Sequence, residues 1–61
     1  MPSLTCKELT ALEESLGDEQ HLVKKYQAMA CLCNDENIRQ DLENIAQKHQ
    51  QHANTLLTFL K

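Results

Sequence analysis

Apolar residues in this chain recur in alternating steps of three and four, and that spacing constrains the fold more than any other feature of the sequence. One run reads Leu9, Leu12, Leu16, Glu19, Val23, Tyr26, Ala30, Cys33; a second reads Ile38, Leu42, Ile45, His49, His52, Leu56, Phe59. Such steps line up one face of an α-helix, whereas a strand would need steps of two. Each run has the register of a heptad seam. The 61 residues include one Gly and one Pro, and Pro2 stands at the N-terminus. Sandwiches, barrels and α/β folds need far more turn residues than this. The sequence predicts an all-α protein.

Helix ends are marked as clearly as helix faces. Thr5-Cys6-Lys7-Glu8 is a capping box, in which a hydroxyl and a carboxylate each satisfy an orphan backbone amide. Leu4 and Leu9 flank it at the spacing of a hydrophobic staple. The apolar phase runs unbroken through Gly17-Asp18, which predicts one long helix with Gly17 on its outer side. The break falls at Asn34-Asp35-Glu36-Asn37. Asn34 suits the left-handed position that closes a helix, and Asp35 or Asn34 can cap the next one. Lys61 would then sit near the negative pole of the second helix. The expected bounds are a helix over about 5–33, a turn at 34–36 and a helix over about 36–60, within a single domain. So short a link between two long helices dictates an antiparallel hairpin.

The apolar stripes are wider than a two-stranded coil requires. Leu22 and Met29 lie beside the first seam, one heptad apart; Ala46, Ala53 and Leu60 lie beside the second. Leu32 and Leu57 fall outside both stripes. About three apolar residues per heptad is the width of a bundle helix. A chain this short also lies near the size at which a lone core stops being sufficient. A second copy is the simplest partner, giving a four-helix bundle with two-fold symmetry.

Three seam positions break the apolar rule: Glu19, His49 and His52. If Cys33 faces Ile38 at the turn, facing residues have numbers summing to about 71 in an antiparallel hairpin. Glu19 then faces position 52, and Val23 faces 48 or 49, so the three polar residues share one slab. A dimer with its axis through the middle would stack both copies' slabs into a central layer. Two His at i and i+3 on one face, opposite a carboxylate, are a candidate metal site shared between two chains. Its imidazole content favours zinc, copper or nickel over a di-iron, oxygen-activating centre. The same residues could equally form a hydrogen-bond network that fixes register without metal. Tyr26 lies on the seam two turns from Glu19, where core packing is its simplest role.

The remaining features exclude more than they suggest. The net charge is −3 with no basic cluster, which argues against nucleic acid and anionic membranes as partners. No apolar run approaches the roughly 18–20 residues of a membrane span, and MPSLTCKE lacks the pattern of a signal peptide. The expected setting is soluble and cytoplasmic. Cys6, Cys31 and Cys33 are odd in number, and Cys31 and Cys33 point apart on a helix, so they read as free thiols. His21 belongs to the outer face. Ser15 and Cys6 have no triad partners, and no phosphate loop is present. The chain reads as non-enzymatic, with no cofactor beyond a transition metal.

Leu9-x-x-Leu12, Glu19-Gln20-x-Leu22-x-x-x-Tyr26 and Ile45-x-x-x-His49-x-x-His52-x-x-x-Leu56 together resemble the ferritin-like spore coat proteins, the coat F-type family of endospore-forming Firmicutes and its small relatives. The resemblance covers about Leu4 to Leu60. It implies a ferritin-like helical hairpin, a place in or near the spore coat, and other coat proteins as partners. It also implies metal ligands at Glu19, His49 and His52. His49 stands where the ferritin-like motif has Glu, which puts di-iron redox chemistry in doubt. Longer family members carry more helices per chain, so this one would be half a bundle.

Overall fold

The computed structural model describes residues 4–60 and contains two helices, α1 (Cys6–Leu32) and α2 (Glu36–Thr58), packed as an antiparallel hairpin. Lys61 lies outside the described residues. The capping box forms as expected. Thr5 N–H donates to Glu8 Oε1 and Glu8 N–H donates to Thr5 Oγ1, both at 3.0 Å. Those bonds hold Glu8 below its ordinary pKa of 4.5, the Thr5 amide contributing most and its hydroxyl next. The staple is weaker than its spacing suggests, because Leu4 and Leu9 both remain exposed. α1 continues through Gly17, whose outer side faces open space.

The connection differs from expectation at one point. No described residue has positive φ, so Asn34 does not close α1 in a left-handed turn. Instead Cys33 leaves the helix extended (φ −87°, ψ 130°), and its N–H still reaches Ala30 O at 3.2 Å. Asp35, also extended, then caps α2, accepting from Asn37 N–H (2.9 Å) and Ile38 N–H (3.1 Å). An Asp side chain that takes two orphan amides supplies the reversal, and no strained backbone is needed.

The α1 seam is as read, with Val23 and Ala30 buried and Leu12, Leu16, Glu19, Tyr26 and Cys33 half-buried; Leu9, at the open end, is exposed. α2 is a correction. Its buried residues are Ala46 and Ala53, with Leu42, Ile45, His49 and Leu56 of the expected seam half-buried beside them, while Ile38 and Phe59 each keep 52% of their surface exposed. At 3.6 residues per turn, exchanging the 38/45/52/59 line for 39/46/53/60 rotates the helix by about 50°. The physical reason is side-chain size. Alanine at 46 and 53 lets the backbones approach closely, and Arg39 at the same register fits by extending toward Glu36, with which it pairs.

That rotation sorts the two broad sides of the slab, which measures 47 × 16 × 11 Å. Helix geometry places Leu22 and Met29 of α1 on the same side as Ile38, Ile45, His52 and Phe59 of α2. The other side is polar, with Gln27, Arg39 and Glu43 gathered around Ala30 in an open hollow. One side of the hairpin is therefore apolar and uncovered.

Candidate metal centre

Glu19, His49 and His52 meet at mid-length, as the antiparallel register requires. Glu19 is the middle residue of α1. His49 and His52, one turn apart on α2, approach it from across the hairpin. Their potential ligand atoms all lie within 4.8 Å of one another. Residues thirty apart in sequence thus become neighbours because the helices run antiparallel and the link is only three residues long.

The two imidazoles play unequal parts. His49 Nδ1 lies 2.7 Å from Glu19 Oε2, a short hydrogen bond in a half-buried setting. With an ionised carboxylate, which can only accept, the matching tautomer is the one whose Nδ1–H donates. Tyr26 fixes the ring from the other side, stacking on His49 with centroids 5.8 Å apart and planes 13° apart. His52 stands edge-on to His49 at 5.8 Å, and its Nδ1 is 3.5 Å from the same Glu19 oxygen, too long for a good hydrogen bond. Its side chain is 61% exposed, against 23% for His49 and 21% for Glu19.

These distances bear on what the trio can hold. Zinc–ligand bonds of about 2.0–2.1 Å in a tetrahedron place neighbouring donor atoms about 3.3–3.4 Å apart. The Glu19–His52 spacing of 3.5 Å already matches that edge. At 2.7 Å the Glu19–His49 pair does not, and is a hydrogen bond as it stands. The three residues suit imidazole- and carboxylate-binding metals, with His49 better placed to orient the carboxylate than to share the ion.

All three residues interrupt the apolar seam in the sequence, where nothing ranks one above another. Tyr26 was placed on the seam without its stacking role, which depends on the α2 rotation. His21 is exposed, Cys6, Cys31 and Cys33 are free thiols, and Cys33 Sγ lies 3.5 Å from Asp35 O. No helix among the described residues is long and apolar enough to cross a membrane. Set against known proteins, the chain matches no protein family, no curated protein and no solved structure.

Proposed function

We propose that this protein is a small assembly module, a helical hairpin that pairs with a second copy to form a four-helix bundle around its Glu/His layer. One observation carries the reading: the apolar side of the slab is left uncovered. The buried apolar residues are Val23 and three alanines, while Ile38, Phe59 and Met29 remain exposed. A core of that size is small for independent stability. The accessible surface is 4914 Å², about 900 Å² above that of a compact monomer of this mass. Each partner in a standard interface buries about 800 Å². A role in the spore coat, with other coat proteins as neighbours, rests on the resemblance of residues alone.

Charge substitution on the two sides separates this reading from a self-sufficient hairpin. Ile45→Asp should shift the protein toward monomer and destabilise it strongly, as light scattering and thermal melting would record. Gln27→Asp on the polar side should leave the oligomer intact. Equal behaviour of the two variants would sink the proposal.

A second reading, metal binding at Glu19, His49 and His52, is favoured by their convergence within 4.8 Å. Zinc, copper or nickel suits these donors better than a di-iron pair does. Replacing both His49 and His52 with Leu should abolish metal uptake while leaving the bundle as stable or more so. Retained stoichiometric metal in that variant would refute it.

A further inference from the structure

Building on the paired reading above, we propose that the layer binds one zinc ion per two chains, on the two-fold axis, through Glu19 and His52 of each copy. His49 serves as the positioning residue that holds each carboxylate.

Three observations converge on this. First, Glu19 Oε2 and His52 Nδ1 are spaced at 3.5 Å, the edge of a zinc tetrahedron, whereas His49 is engaged in a 2.7 Å hydrogen bond to the same oxygen. Each chain therefore offers two prepared donors, and a structural zinc takes four. Second, His52 belongs to the Ile38/Ile45/Phe59 line that the second copy would cover, and it is the most exposed of the three. Third, the layer lies at mid-length, where Glu19 is the central residue of α1. A two-fold axis through the middle, along the helices or across them, brings both copies of the layer to one level.

The chemistry also answers a problem that pairing creates. Covering the apolar side takes His52 out of water, and a buried polar group without partners is costly. Two imidazoles and two carboxylates around one divalent cation satisfy each other and balance the charge. The stack of Tyr26 on His49 and the His49–Glu19 bond set the carboxylate beforehand, the role that outer hydrogen bonds play at metal sites. Zinc then becomes a ligand of the dimer that the single chain holds poorly, so it tightens pairing by mass action.

Sedimentation velocity and elemental analysis with zinc test this on the whole chain. The expected result is 0.5 zinc per chain. Zinc at 100 times its dissociation constant should tighten the dimer by about 100-fold. His52→Ala, at an exposed position that folding tolerates, should lose both effects while pairing at least as tightly as the zinc-free protein does. His49→Gln should keep the half-stoichiometry and weaken zinc by about 10–100-fold. Cobalt in place of zinc should give the intense visible bands of a tetrahedral site in the parent and none in His52→Ala. One zinc per chain, an unchanged dimer constant, or zinc lost from His49→Gln but kept by His52→Ala would each overturn the assignment. If the zinc-free chain pairs and zinc changes nothing, this inference fails and the assembly reading stands; a folded monomer with and without zinc ends both.

Discussion

Single residues divide the labour of this hairpin unequally. Ala53 is 1% exposed, the most deeply buried of the core residues, so its small size has a structural consequence. Ala53→Leu should destabilise the fold by about 1–3 kcal/mol through overpacking, whereas Ala28→Leu on the outer face should stay within about 0.5 kcal/mol. Urea unfolding of the two variants checks the contrast, and equal midpoints would contradict it. Glu8 supplies a pH dependence whose direction is fixed by its bonds to Thr5. Its folded pKa is depressed below 4.5, so the cap's contribution is fully present above that value. The contribution fades as pH falls through the lower, folded value. The protection of first-turn amides in α1, taken relative to their intrinsic exchange rates, should therefore fall as the pH drops below 4.5, and Glu8→Gln should remove that acid step. An identical step in the variant would show another group responsible. The candidate site was legible in the sequence because Glu19, His49 and His52 interrupt an otherwise apolar seam. Their ranking was not, since a 2.7 Å bond and a 3.5 Å gap arise from the same spacing rule.

Between residue and molecule, the two helix starts were legible because their caps are chemical rather than statistical. Thr5/Glu8 and Asp35 name their own starting points. What periodicity could not decide was which edge of a wide stripe meets the neighbour. A stripe of three residues per heptad supports two seams, and apolar character alone favours the one with Ile38, Ile45 and Phe59. The hairpin takes the one with Ala46 and Ala53, where the gain is close approach. The larger side chains are thereby placed on the uncovered side. Helix α1 carries one avoidable weakness, Gly17, at a helical position with nothing within 4 Å of an added Cβ. Gly17→Ala should stabilise the protein by about 0.5–1 kcal/mol, visible as a rise in melting temperature of roughly 2–8 °C for a domain of this size. A fall would mean that the outer side of α1 is in contact with something.

At the scale of the whole molecule, a slab 11 Å thick has no interior apart from the line between its two helices. Met29, Ile38, His52 and Phe59 on the apolar side stay exposed until something covers them. A half-buried Ile or Phe withholds part of the roughly 1.5–3 kcal/mol that full burial would supply. Ile38, Ile45, Met29 and Phe59 withhold it together, on the side where Glu19 and His52 also lie. On the proposed reading, a second copy completes this surface. Sedimentation equilibrium of the unmodified chain, chelator-treated and at micromolar concentration, decides whether it does. A folded, helical species of twice the 7.0 kDa of one chain is expected, and a folded monomer of 7.0 kDa would rule the pairing out.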